Sequence, residues 1–186
     1  MKFLKWTLIS IVVLGLLVFF VGMPYMQNQT KKFSPEKTAT YTKNGMDLSV
    51  NYSSPSKKGR VIFGELVPYD IVWRTGANEP TTFTTATDIL VAGQKLPDGT
   101  YSLWTKPGKD SWTIIFNNEV PEWGVTVLSG GKETTRNPEN DVVQVKASPE
   151  TVSSPIEQFT IGFQQDGPLN LTLSWDDTKV NVPISI

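Results

Sequence analysis

From Asp47 to the C-terminus the apolar residues of this chain recur at every second position, and that period decides what it can fold into. Leu48, Val50 and Tyr52 alternate with Asp47, Ser49 and Asn51. Successive side chains of a strand point to opposite faces, so this is the pattern of a half-buried strand. "SWTIIFN" places Trp112, Ile114 and Phe116 on one face, and "QFTIGF" does the same with Phe159, Ile161 and Phe163. In "TYSLWT", Tyr101 and Leu103 oppose Ser102 and Trp104. Near the end, Leu169, Leu171, Leu173 and Trp175 alternate with polar residues; "DDTK" reads as a turn, and Val180, Val182, Ile184 and Ile186 alternate again, which predicts a hairpin. Pro183 marks that last strand as an edge, because proline cannot donate to a ladder. "SPSKKG", "LPDG", "KPGKD", "SGGKE", "NPEND" and "DGP" punctuate the runs with turn residues. Short strands with such turns and no helical period predict an all-β domain, an antiparallel, jelly-roll-like β-sandwich.

The N-terminus obeys a different rule. Lys2 and Lys5 precede a stretch from Trp6 to Met26 without a charged residue. Roughly 20 apolar residues span a bilayer as a helix. Trp6 and Tyr25 sit at its two ends, where interfacial aromatics are favoured, and Pro24 is placed where the helix can stop. A cleaved signal peptide has a shorter apolar core followed by a small-x-small site; Gly22-Met23-Pro24-Tyr25 fits that poorly. The expected organisation is a cytoplasmic N-terminus at 1–5, a transmembrane anchor at 6–26, a polar tether at 27–45 and a β-sandwich at 46–186. Lys2 and Lys5 favour an inside N-terminus, although Lys31 and Lys32 dilute the bias. The C-terminal domain is therefore expected outside the cytoplasm, on a single-pass membrane protein.

Two residue types are missing altogether. The 186 residues contain no histidine and no cysteine. That excludes Ser-His-Asp and Cys-His nucleophile pairs, thiolate or imidazole zinc sites, thiol redox chemistry and disulfides. No cofactor is implied. Asp98, Asp110, Asp176 and Asp177 do not form the alternating ligand loop of a calcium site and read as turn residues. The net charge of −1, with lysines scattered along the chain, gives no reason to expect a nucleic-acid partner. "LSGGKET" shares only its Gly-Lys with a phosphate-binding loop.

Three blocks, "GRVIFGELVPYDIVWRTGANEPTTF", "LPDGTYSLWTKPGKDSWTIIFN" and "LTLSWDDTKVNVPI", occur in this order from about Leu48 to the C-terminus. In them the chain resembles the DUF2911 family of bacterial domains of unknown function. Family members follow the Trp-Gly after the Phe-Asn strand with a tyrosine-bearing segment; here Trp123-Gly124 leads instead to "VTVLSGGKETTRNP". The resemblance implies a secreted or membrane-attached β domain of a Gram-negative envelope and no particular activity. In that compartment the Asn-x-Ser/Thr triplets at Asn28, Asn51 and Asn170 are idle.

Within the first block, "VWRTGANEP" puts Arg74 between the apolar Ile71-Val72-Trp73 and a glycine-containing polar turn. The only other arginines are Arg60 and Arg136. Deleting the partner of a buried charge costs roughly 3–5 kcal/mol, so a carboxylate partner is expected for Arg74, from Glu79, Glu65 or Asp70. Three readings stay open. Arg74 and Glu79 tie the loop to the sandwich through forked hydrogen bonds. Alternatively, Arg74 with Asn78 clamps a carboxylate or sugar hydroxyls beside an aromatic wall that includes Trp73. Or two of Glu65, Asp70 and Glu79 act as an acid/base pair on glycans. Trp73, Trp104 and Trp123 extend the carbohydrate reading if they face outward, and fill the core if they do not. The leading expectation is a non-catalytic binding or interaction module of the cell envelope, taking a small molecule or glycan, with a carboxylate-based hydrolase as the alternative. For the N-terminal helix, carbonate extraction of membranes should leave the full-length chain in the pellet; its release into the supernatant would contradict a spanning helix.

Overall fold

The computed structural model describes residues 2–126 and 129–186, in two units, Met1–Phe33 and Ser34–Ile186. Met1, in the segment 1–5, and Val127 and Leu128, in the segment after Trp123-Gly124, lie outside the described residues. The first unit is helical: α1 (Lys2–Leu17), a π-helical segment (Val18–Gly22) and α2 (Met23–Phe33). One helix, Phe3–Phe33, is long and apolar enough to cross a membrane. It does not stop at Pro24 as expected. A proline ring inside a helix meets the carbonyl four residues back, here that of Phe20. The wider π-helical segment lies across that carbonyl, with the Met23 N–H reaching Val18 O. A π-bulge lets a helix absorb such an insertion.

The stretch 27–45 is not a tether. It is helix to Phe33 and then strand β1 (Glu36–Lys43), which pairs along its whole length with β2 (Met46–Ser53). Thr38, Thr40 and Thr42 are exposed while Ala39 and Tyr41 turn inward. β-branched threonine suits the outer face of such a half-buried strand. The turn between them is Asn44-Gly45, both at positive φ (54° and 78°), as a two-residue hairpin demands. The domain therefore begins at Ser34 rather than at residue 46.

The other strands are β3 (Thr81–Thr85), β4 (Ile89–Val91), β5 (Gln94–Leu96), β6 (Gly99–Lys106), β7 (Trp112–Asn117), β8 (Asp141–Ala147), β9 (Pro149–Gln165) and β10 (Leu169–Ser185). They form two antiparallel sheets, in the orders β1-β2-β3-β6-β7-β8 and β5-β4-β10-β9. One core lies between them: Leu48, Val50, Phe83, Ile114 and Phe116 from the first sheet meet Ile161, Leu171, Leu173 and Val182 from the second. Each such side chain contributes about 1.5–3 kcal/mol on burial. Ser54 Oγ donates to Phe159 O at 2.7 Å, a buried polar tie between the segment after β2 and β9.

The expected C-terminal hairpin is instead one long strand. "DDTK" lies inside β10, where the register against β9 shifts between Ser174 and Asp176 and again between Asp176 and Thr178. Asp176 sits at φ 55°. Irregularities of this kind re-aim side chains: the buried apolar residues are odd-numbered from Leu169 to Trp175 and even-numbered from Val180 to Ile184. The change of parity that suggested a turn is a bulge. Nor is β10 an edge strand, since it lies between β4 and β9. Pro183 is tolerated because it falls beyond Val180, the last residue paired with β9, and opposite Ala92 in the β4–β5 turn, whose N–H donates to Pro183 O at 2.8 Å.

Candidate functional site

Between β2 and β3 the chain runs irregularly from Ser54 to Pro80. Apolar anchors fold it over one end of the sandwich. Ile62 and Val67 are buried in the core. Phe63 packs edge-on against Trp112 with ring centroids 4.9 Å apart, and Trp73 stacks on Trp175 at 6.0 Å. Trp73 also pairs with Thr105 of β6, each N–H donating to the other's carbonyl, at 2.7 and 3.0 Å. Trp73 is thus a core residue, not an exposed platform, and Trp104 is wholly buried too, with Nε1 donating to Ser102 Oγ at 2.7 Å. Trp123 is half-buried.

Because Trp73 faces the core, its neighbour Arg74 is turned to the opposite face of the six-stranded sheet. There the stretches 118–126 and 129–137 cover it. Glu119 O accepts from Ser102 Oγ, and Asn117 Nδ2 donates to Asn137 O at 2.7 Å. Gly124 lies directly on the arginine stem: a Cβ there would stand 2.5 Å from Arg74 Cδ and 3.0 Å from Asn78 O. Only glycine permits that approach, and it lets the Gly124 N–H donate to Asn78 O at 3.1 Å.

The turn after Arg74 is strained and closely held. Thr75 and Asn78 have φ of 56° and 60°, and a left-handed conformation costs a β-branched residue roughly 1–2 kcal/mol. Thr75 Oγ1 lies 3.2 Å from Thr105 Oγ1, Thr81 Oγ1 donates to Thr75 O at 2.6 Å, and Trp73 Nε1 donates to Gly76 O at 3.0 Å. At Gly76 a Cβ would meet Ser53 O at 2.8 Å. Such over-determined strain is characteristic of ligand clamps and active sites.

A pocket of about 390 Å³ opens where residues of the stretch 66–74 meet Val125, Gly131, Lys132 and Thr134. Leu66, Val67, Pro68, Ile71, Val72 and Val125 form apolar walls. Arg74 and Lys132 supply its cations, and no carboxylate lines it. Lys132 is exposed at the rim. Arg74 Nε is sealed from solvent with no hydrogen-bond partner. Burial pulls the guanidinium pKa below its ordinary value, with no neighbouring charge acting on it. Arginine does not release its proton in proteins, so the site keeps a partly desolvated cation.

The expected Arg74–Glu79 strut is therefore absent: among the described residues no carboxylate pairs with Arg74. Of the residues singled out in the sequence, only Trp73 and Arg74 line the pocket. Glu65 and Asp70 are exposed, the latter with its N–H on Pro107 O at 2.7 Å. Asn78 is buried and directs its amide towards Ser53 Oγ, 3.5 Å away. Glu79 is half-buried and does not line the pocket. Gly124, Val125 and Lys132 were not legible as site residues; the chain brings them here across a long sequence separation.

The strut exists elsewhere. Arg136 Nε donates to Asp141 Oδ1 at 2.9 Å and Nη2 to Oδ2, with both side chains largely buried. Asn117 Nδ2 and Gln144 Nε2 add bonds of 2.8 Å each to the same carboxylate. This fork anchors the end of the covering segment to the start of β8.

The chain belongs to the DUF2911 family, described as proteins of unknown function; the family model matches residues 34–184. The match takes in β1, which the sequence reading had assigned to a tether, and ends inside β10. Comparison with curated proteins and with solved structures returns no match.

The two arginines should respond oppositely to substitution. Asp141→Asn leaves Arg136 without its counter-charge and should cost about 3 kcal/mol. Arg74→Met keeps the stem volume and removes an unsatisfied buried donor, whose burial costs about 1–3 kcal/mol. Its melting temperature should equal or exceed that of the parent by about 2–4 °C. Thermal melts followed by tryptophan fluorescence check both; a melt of Arg74→Met several degrees below the parent would restore the strut reading.

Proposed function

We propose that the chain is a membrane-anchored, extracytoplasmic binding module without catalytic activity, and that its ligand is an anion received by Arg74. The observation that carries this is a guanidinium placed in a walled pocket with no acid beside it. A paired arginine is a structural element; an unpaired one, held by Gly124 and a strained turn, is arranged for a partner that arrives from outside. Pockets of this kind combine apolar walls with a few fixed polar groups that orient the ligand. Hydrolysis of glycans by two carboxylates needs the pair to face each other across the substrate, and the pocket lining contains none.

The extracytoplasmic location rests on the helix Phe3–Phe33, apolar enough to cross a membrane, and on Lys2 and Lys5 at its beginning. The family's unknown function neither adds to this reading nor limits it.

Ligand binding to the folded state raises stability by about 2.7 kcal/mol at 100 times Kd. Full-length protein in lipid nanodiscs should therefore melt about 5–10 °C higher with a saturating anion from a panel of small carboxylates, phosphate and sulfate. The same panel should leave Arg74→Met unmoved. A panel that shifts neither protein removes the proposal.

Because the chain has no cysteine, a single one reports sidedness. Ser153 is exposed on β9. Ser153→Cys should react with a membrane-impermeant maleimide in cells whose inner membrane is intact. Labelling only after lysis would place the domain in the cytoplasm.

A further inference from the structure

Resting on the reading of Arg74 as an anion receptor, we infer that the ligand is a monocarboxylate with an aliphatic body. Three features of the pocket select this class. The first is the charge count. The only buried cation in the lining is Arg74, while Lys132 is exposed at the rim. One desolvated positive charge matches one negative charge; a dianionic phosphate would carry its second charge into an apolar cavity, which is costly without a further partner. The second is shape. The guanidinium is a planar fork of donors, and a carboxylate accepts two parallel N–H bonds from it. Among the described residues Arg74 makes no side-chain hydrogen bond; its Nε is sealed from solvent, so the fork left for a carboxylate is the Nη1–Nη2 pair.

The third is the wall. Leu66, Val67, Pro68, Ile71, Val72 and Val125 offer aliphatic surface; besides the two cations, the lining's polar side chains are Thr134, with one hydroxyl, and Trp73, whose Nε1 is already bonded to Gly76 O. Sugar hydroxyls placed against them would lose their water without replacement, at about 1–3 kcal/mol each. An alkyl chain gains there, at about 0.8 kcal/mol per buried CH₂. Val61, Leu66 and Ile71 are 53%, 44% and 52% exposed, so the apolar surface continues outward from the mouth. The head of the ligand meets Arg74 and its chain runs along this strip. A glycan, the other ligand expected from the sequence, would find a single hydroxyl, Thr134, along these walls, too few partners for its own.

Titration calorimetry on the full-length chain in nanodiscs, with empty nanodiscs subtracted, tests the inference with four probes. Hexanoate should bind; acetate, hexan-1-ol and hexyl phosphate should each bind at least tenfold more weakly. Arg74→Met should weaken hexanoate at least tenfold and leave hexan-1-ol unchanged. If Arg74→Met does not fold, Ile71→Glu sets a like charge at the exposed mouth and removes part of the apolar wall; it should weaken both probes, hexanoate more than hexan-1-ol. Hexyl phosphate binding more tightly than hexanoate would overturn the carboxylate assignment and leave the anion receptor standing. Equal binding of acetate and hexanoate would overturn the aliphatic body alone. Hexanoate binding that survives Arg74→Met with a normal melt, or no heat from any probe, would overturn both the ligand class and the receptor reading beneath it.

Discussion

A guanidinium partly withdrawn from water, with its Nε sealed and unbonded, is the constraint around which the site is organised. Arg74 cannot shed its proton to relieve the cost, and among the described residues no carboxylate offsets it. A flexible arginine would escape by extending into solvent. This one is prevented. Gly124 closes on its Cβ and Cδ, and the turn that follows is fixed by Trp73, Thr105 and Thr81. The surrounding structure thus maintains an unfavourable charge in a chosen place, and the stability needed to do so comes from the sandwich core.

The position of that charge follows from strand geometry. The aromatic group of Phe63, Trp73, Trp112, Phe159 and Trp175 closes one end of the core. Trp73 belongs to it and is bridged to Thr105 of β6. Alternation then sends the next side chain to the far side of the sheet. Had Trp73 not been drawn into the core, Arg74 would have been. The covering segment completes the arrangement. Its attachment by Arg136 to Asp141 near β8 and by Gly124 to Asn78 holds it over β6 and β7. One arginine of the segment secures the cover, and another arginine lies beneath it.

Much of the fold could be read from residue periods, because burial on one face of a strand writes itself into every second residue. Leu48 to Tyr52, Trp112 to Phe116 and Phe159 to Phe163 behave as their alternation indicated. The period misled where it changed parity. Around Asp176 a bulge and a turn leave the same trace in sequence, and only pairing with β9 tells them apart. It also misled at β1, whose threonines looked like linker composition although Asn44-Gly45 is a strong hairpin signal. At the site, scarcity of arginine drew notice to Arg74, but its partner could not be inferred. Carboxylates close in sequence, Glu65, Asp70 and Glu79, were the natural candidates, and none of them lines the pocket. The contact that matters, Gly124 on the arginine stem, joins residues fifty positions apart and leaves no local pattern.

Arg74 and Arg136 differ in what surrounds them rather than in what they are. Arg136 reaches a carboxylate that also accepts from Asn117 and Gln144. Its charge is met on folding, and the pair is an internal fixture. Arg74 is carried through folding with its demand unmet. For a binding group that distinction sets affinity. A site whose donors are already bonded to protein must break those bonds to receive a ligand, whereas one whose arginine is held in place without a protein partner has less freedom to lose on association. The strain at Thr75 and the close approach at Gly124 act in the same direction, since both restrict Arg74 before any ligand is present. The left-handed residues Thr75 and Asn78 and the unbonded Arg74 Nε thus lie together at one end of the sandwich.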